Sequence, residues 1–168
     1  LHDALPIWKI ADFRALGLPE YCPREGVVHL VDRMVTTLVG ARRAGKSFRV
    51  LQLADELLQA GSIPSLRAVC HLDFDNPLLS AMSARELTAI QETYLTVTPE
   101  YNLKSPLLFI LDEIHKIPGW EEYVIDLSRN PHWRVTVTGS SSKLLRDDMA
   151  TELRGKSISS TVYPLSFR

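Results

Sequence analysis

The fold is decided by the stretch Leu38-Val39-Gly40-Ala41-Arg42-Arg43-Ala44-Gly45-Lys46-Ser47. Residues 40–47 match the pattern G-x-x-x-x-G-K-S, after a β-branched apolar run and before a helical pattern. Glycines at this spacing let a loop close around an anion, and the N-terminus of the following helix adds unpaired N–H donors. The alternative is a surface turn that matches by chance. Agreement among strand, loop and helix favours a phosphate-binding loop.

The positions of this loop have separate expected roles. The predicted nucleotide-binding residues are Gly40, Ala41, Arg42, Arg43, Ala44, Gly45, Lys46, Ser47 and Phe48. Lys46 is expected to bring a positive charge to the β- and γ-phosphates and is also counted among the catalytic residues. The Ser47 hydroxyl is expected to join the shell of a magnesium ion.

The composition is that of an ordinary globular domain and limits the function classes. The 168 residues are 45% hydrophobic and 23% charged, with a net charge of −1, so there is no broad basic field for nucleic acid. A local nucleic-acid contact stays open. Cys22 and Cys70 show no CxxC spacing, which indicates thiols in a reducing compartment and disfavours zinc. No apolar run reaches the ~18 residues of a membrane span, and no secretory signal is present, so a cytoplasmic protein is expected.

Alternating strand and helix patterns predict a parallel sheet with right-handed crossovers. Strands are predicted at 34–39, 66–74, 107–111, 133–138 and 158–163, and helices at 24–32, 46–60, 83–95, 119–129 and 141–153. Residues 1–7 are expected to be a non-native end, 8–33 a lead-in, and 34–168 a nucleotide-binding core truncated before any lid or C-terminal domain.

The third predicted strand ends in two adjacent carboxylates, Asp112 and Glu113. Parallel sheets bind ligands at the carboxyl ends of their strands, so this pair should lie level with the loop at residues 40–47. Asp112 is expected to hold magnesium through water, opposite Ser47. Glu113 is expected to orient the water that attacks a γ-phosphate. The alternative is an exposed acidic turn.

Four segments together resemble the prokaryotic AAA-type ATPases. They are residues 40–47, Leu-Asp-Glu-Ile-His-Lys-Ile-Pro-Gly-Trp-Glu at 111–121, Val-Thr-Gly-Ser-Ser-Ser-Lys-Leu-Leu at 137–145 and Tyr-Pro-Leu-Ser-Phe at 163–167. The resemblance covers about residues 30–168. It implies a three-layer α-β-α P-loop fold with a mainly parallel five-stranded sheet in the order 5-1-4-3-2. It also implies a further C-terminal region that contacts an unidentified protein or nucleic-acid partner, and leaves a homo-oligomer open.

The resemblance suggests roles for several other residues. Ser140 stands where these ATPases place a polar sensor of the γ-phosphate, and capping of the next helix is the alternative. The paired arginines Arg42 and Arg43 are typical of the phosphate-binding loop of this family. The alternative is that they are a solvated basic pair. Relatives often carry arginine at the position of Lys156, and lysine cannot make the planar contact of a guanidinium. His115 is expected to pack on the turn at Trp120.

The expected function is therefore magnesium-dependent binding and hydrolysis of ATP that drives a conformational switch. Hydrolysis by residues 1–168 alone is expected to be weak, because an arginine from a neighbouring domain or subunit often completes such sites. Two alternatives stay open, a nucleotide-gated binding module with negligible hydrolysis and a P-loop kinase of small molecules. A GTPase is disfavoured because no Asn-Lys-x-Asp segment follows the acidic strand.

Overall fold

A computed structural model describes residues 17–140, 151, 153 and 155–164. In these residues the strands are β1 (Val35–Gly40), β2 (Val69–Asp73), β3 (Leu107–Asp112), β4 (Trp133–Ser140) and β5 (Ser157–Thr161). The α-helices there are α1 (Lys46–Gln59), α2 (Pro77–Ser80), α3 (Ala84–Val97) and α4 (Trp120–Ser128). Short 3-10 turns cover Leu66–Ala68 and Ile114–Lys116.

The five strands form one parallel sheet in the order β2-β3-β4-β1-β5, which confirms the predicted fold class and strand order. Every residue of β1 and β3 is buried, as expected for central parallel strands covered on both faces. Helices α3 and α4 pack on each other, so they lie on the same face of the sheet. Crossovers between parallel strands are right-handed in nearly all proteins, so the β1–α1–β2 connection is expected to place α1 on the other face of the sheet.

The strand register brings the predicted site residues to one edge of the sheet. Gly40 of β1 pairs with Ser140 of β4, and Leu111 of β3 pairs with Val137 of β4. The loop after β1, the acidic pair at the end of β3 and the last residues of β4 therefore meet at the carboxyl edge. In parallel sheets this is the edge where ligands bind.

The predicted helix at 24–32 is wrong, because residues 23–28 form an irregular segment, here called the strap, that lies along α1. The Gln52 side chain binds both backbone groups of Arg24, accepting its N–H at 2.9 Å and donating to its carbonyl at 3.0 Å. Gly26 has φ 110°, and its carbonyl accepts from Arg49 at 2.9 Å. These contacts take backbone groups that a helix would use for its own hydrogen bonds.

Other predicted boundaries shift by a few residues. β2 begins at Val69 rather than at residue 66, because the Ser65 hydroxyl accepts the N–H of Arg67 at 3.1 Å and caps a 3-10 turn before the strand. β5 spans Ser157–Thr161 instead of 158–163. The predicted helix at 141–153 lies outside the described residues, apart from 151 and 153. No helix in the described ranges combines the length and apolar character that crossing a bilayer requires.

Candidate functional site

The loop between β1 and α1 depends on its two glycines for different reasons. A Cβ added at Gly40 would lie 2.3 Å from the backbone oxygen of Val162, so that position has no space for a side chain. Gly45 caps α1 in the left-handed conformation, with φ 86° and ψ 28°, which other residues rarely adopt. Arg43 also has a positive φ, 63°. The loop therefore has the tightly turned backbone that closing around an anion requires.

The Lys46 side chain folds over this loop and is only 6% exposed. Its Nζ lies 3.4 Å from the carbonyl oxygens of Gly40 and of Ala41. The same nitrogen is 3.6 Å from Oε1 of Glu113. The predicted cation and the predicted water-orienting carboxylate are therefore neighbours at the mouth of the loop.

Thr138 joins the two acidic residues, and the sequence analysis did not identify it. Its buried hydroxyl donates a hydrogen bond to Oδ1 of Asp112 and accepts the backbone N–H of Glu113 at 3.1 Å. Glu113 has left-handed φ and ψ values of 55° and 31°, a conformation that costs energy for a residue other than glycine. The Thr138 bond holds that strained backbone. The feature of the sequence that could have indicated this role is a threonine directly before Gly139, at the end of an apolar strand.

Replacing Thr138 by valine is expected to lower the free energy of unfolding by about 1–3 kcal/mol, because a buried carboxylate oxygen and a backbone N–H lose their partner. Urea denaturation measures the change. Thr138→Ser keeps the hydroxyl and should recover most of the stability.

Thr136→Val is the matched control for that prediction. Thr136 lies on the same strand and is fully buried, and its hydroxyl has no hydrogen-bond partner among the described residues. Its replacement by valine should therefore be neutral or stabilising. Equal losses in Thr136→Val and Thr138→Val would show that the Thr138 hydrogen bonds contribute nothing.

Asp112 has the surroundings of a ligand to a cation. It is 2% exposed, its Oδ1 accepts the hydrogen bond of Thr138, and its charge acts on the imidazole of His71 on the neighbouring strand β2. Buried carboxylates are normally paired or bind a metal. Asp112 and the Ser47 hydroxyl at the start of α1 offer oxygen ligands, the kind that magnesium prefers. These residues fit a magnesium ion.

The side chains of the described residues do not build a complete metal cage. Within the described ranges no group of three His, Cys, Asp or Glu side chains is arranged to hold a metal ion. Magnesium commonly takes one or two protein oxygens and completes its shell with water and substrate phosphates. The geometry therefore suits a metal that arrives with a phosphate ligand.

His115 lies near the other carboxylate oxygen of Glu113. It lies in the 3-10 turn Ile114–Lys116, which starts directly after Glu113. Its Nδ1 is 3.5 Å from Oε2 of Glu113, and the two side chains are 14% and 16% exposed. This contact was not foreseen from the sequence, which suggested packing of His115 on the Trp120 turn.

The remaining predicted residues differ in exposure. Ala44 is buried, whereas Ala41, Arg42, Arg43, Ser47 and Phe48 are exposed. Within the described part of the chain, neither Arg42 nor Arg43 has an ion-pair partner. The Ser140 backbone pairs with Gly40 at the end of β4, and its side chain is outside what the structure describes. Arg154 also lies outside the described residues.

A groove next to the loop was missed because the strap was predicted to be helical. This strap groove has a volume of about 420 Å³. Strap residues, Arg49 of α1 and residues 160–164 line it. The Arg24 guanidinium lies against Gly45, since a Cβ there would be 2.3 Å from Nη2, and Nη1 donates to the Tyr163 carbonyl at 2.8 Å. Val27 and Tyr163 are about three-quarters exposed at its rim.

A larger cavity of about 620 Å³ lies elsewhere, between α3 and α4. Polar and charged side chains such as Arg85, Gln91 and Arg129 line it. None of the predicted site residues contributes to it. The predicted site residues lie instead at the carboxyl edge of the sheet.

Comparison with known proteins identifies the family. A model described as "AAA domain" matches residues 32–168. An uncharacterized protein of Methanocaldococcus jannaschii is 26% identical over 145 residues, which cover 86% of this chain and 30% of the relative. An uncharacterized protein of Haemophilus influenzae is 28% identical over 134 residues, covering 80% and 32%. The chain spans about a third of the length of these curated relatives. With the family model matching most of its residues, the chain belongs to the AAA domain family.

Proposed function

We propose that the chain binds ATP together with magnesium and hydrolyses it, and that this reaction drives a conformational switch in the whole protein. Membership of the AAA domain family supports nucleotide binding. The observation that carries the hydrolytic part is the 3.6 Å distance between Lys46 Nζ and Glu113 Oε1. A carboxylate this close to the loop cation lies within reach of a water at the terminal phosphate.

The phosphates are proposed to lie in the loop at residues 40–47. The unpaired N–H groups at the start of α1 and the charge of Lys46 would hold the phosphate oxygens. The two unpaired arginines, Arg42 and Arg43, would add positive charge at the loop surface. A magnesium ion held from the sides of Ser47 and Asp112 would supply further charge neutralisation at the β- and γ-phosphates.

The adenine base is proposed to lie in the strap groove. Arg24 lines the groove and its guanidinium lies against Gly45, so the groove and the loop are neighbours through this side chain. The groove's volume of about 420 Å³ and its apolar rim of Val27 and Tyr163 suit a planar heterocycle.

Glu113 is proposed to orient the attacking water. Lys46 contacts Oε1 of Glu113, and its movement to the phosphates would free that oxygen. The water oxygen then bonds to the γ-phosphorus as the bond to the β–γ bridging oxygen breaks. ADP leaves with the bridging oxygen, inorganic phosphate leaves with the oxygen of water, and the released proton passes to solvent by way of the carboxylate.

The magnesium part of the proposal is tested with Asp112→Asn. This change removes the charge but keeps an oxygen that can accept the Thr138 hydrogen bond. Binding of a fluorescent ATP analogue is titrated with and without magnesium. The parent should bind the analogue more tightly with magnesium than without it. In Asp112→Asn this magnesium-dependent gain in affinity should be roughly tenfold smaller.

Asp126→Asn is the control for this titration, because Asp126 is an exposed residue of α4 that pairs with Arg129. It should behave like the parent. A full magnesium effect in Asp112→Asn would remove Asp112 from the metal site. A parent that fails to bind ATP at all, with magnesium present, would reject the proposed function.

A further inference from the structure

The Glu113 carboxylate has a different neighbour at each oxygen. Lys46 Nζ lies 3.6 Å from Oε1, and His115 Nδ1 lies 3.5 Å from Oε2. All three side chains are largely removed from solvent, with exposures of 6%, 16% and 14% for Lys46, Glu113 and His115. The carboxylate therefore lies between two groups from different elements, the start of α1 and the turn after β3.

Once a nucleotide binds, Lys46 and His115 would not contribute equally to the orientation of the Glu113 carboxylate. Lys46 is the cation proposed to contact the phosphates, and moving there would take its charge away from Oε1. Among the described residues, His115 would then remain as the polar side chain beside the carboxylate. A carboxylate that has lost one of its two contacts needs the other to keep a single orientation.

We propose that His115 is a positioning residue, whose Nδ1–H holds Oε2 of Glu113 so that Oε1 faces the attacking water. This rests on the proposed function. A neutral imidazole with its proton on Nδ1 is sufficient as the donor. At 3.5 Å, Nδ1 of His115 and Oε2 of Glu113 do not form a hydrogen bond with each other, and the two atoms would close to hydrogen-bond distance once the water and the γ-phosphate are in place.

The backbone of Glu113 and the turn that follows it are fixed by contacts other than the one to the His115 side chain. The N–H of Glu113 is bound to Thr138, and the N–H of Lys116 donates to the Glu113 carbonyl at 3.2 Å. The Lys116 side chain forms an ion pair with Asp75 beyond the end of β2. Backbone and side chain of Glu113 are thus held by separate residues.

Three substitutions of His115 test the proposal. His115→Asn places an amide nitrogen near the position of Nδ1, whereas His115→Gln places it near Nε2, and His115→Ala removes the donor. Single-turnover hydrolysis with protein in excess should stay within threefold of the parent in His115→Asn. It should fall about tenfold in His115→Gln and His115→Ala, the effect expected from losing one hydrogen bond at the transition state.

Binding of the fluorescent ATP analogue separates positioning from folding. It should change by less than twofold in all three variants, which also shows that they are folded. Unchanged hydrolysis in His115→Ala would overturn the proposal. Equal losses in His115→Asn and His115→Gln would also overturn it, because they would show that only the shape of the imidazole matters.

The Glu113→Gln background distinguishes this proposal from the proposed function. If His115 acts through Glu113, adding His115→Ala to Glu113→Gln should cause no further loss of rate. A further tenfold loss in that background would overturn the positioning role while leaving the proposed function in place. Hydrolysis at the parent rate in Glu113→Gln alone would instead reject the proposed function, and the role of His115 with it.

Discussion

Glu113→Gln is expected to lower the single-turnover rate of ATP hydrolysis by about 10²–10⁴-fold, the range that a positioned acid–base group contributes. The amide keeps the size of the side chain but cannot accept a proton from water. The exposed Glu92→Gln on α3 is the matched control and should retain the parent rate. The measurement is release of inorganic phosphate from labelled ATP with protein in excess.

The same variant should bind ATP at least as tightly as the parent. Lys46 and Glu113 are in contact, and the phosphates would compete with that carboxylate for the lysine. Removing the negative charge of Glu113 removes the competition. Loss of ATP binding in Glu113→Gln would show that Glu113 supports the loop itself, and an unchanged hydrolysis rate would move the chemistry to another residue.

Lys46→Ala is expected to weaken ATP binding roughly ten- to a hundredfold, because a charge-assisted hydrogen bond of ~1.5–3 kcal/mol is lost. Lys104→Ala is the control, since Lys104 is an exposed lysine in the connection that leads into β3. Titration with the fluorescent ATP analogue measures both. Parent-like affinity in Lys46→Ala would exclude the loop at residues 40–47 as the phosphate site.

The parts of the fold that could be predicted from the sequence are those set by local pattern. The residues of the apolar run at 107–111 indicate a buried strand, and those of the segment at 40–47 indicate a turn. The strand order followed from the resemblance carried by the four segments. The strap could not be predicted in this way. Its conformation depends on Gln52 and Arg49, whose partners are more than twenty residues away in sequence.

The candidate site shows the same division. The positions of Lys46, Asp112 and Glu113 follow from motif and strand end, because parallel register brings those ends together. The role of Thr138 in joining the acidic pair depends on which way one β4 side chain points, and this is a tertiary fact. The contact of His115 with Glu113 depends on the left-handed backbone at Glu113, which no local propensity predicts.

The measurement that tests the central claim most directly is single-turnover conversion of labelled ATP, with and without candidate small-molecule phosphoryl acceptors. The proposed function predicts that label appears as inorganic phosphate, that magnesium is required, and that acceptors change neither rate nor product. Bound ATP that stays intact would contradict hydrolysis and indicate a nucleotide-gated binding module. Label that appears on an acceptor would contradict water activation by Glu113 and indicate a kinase.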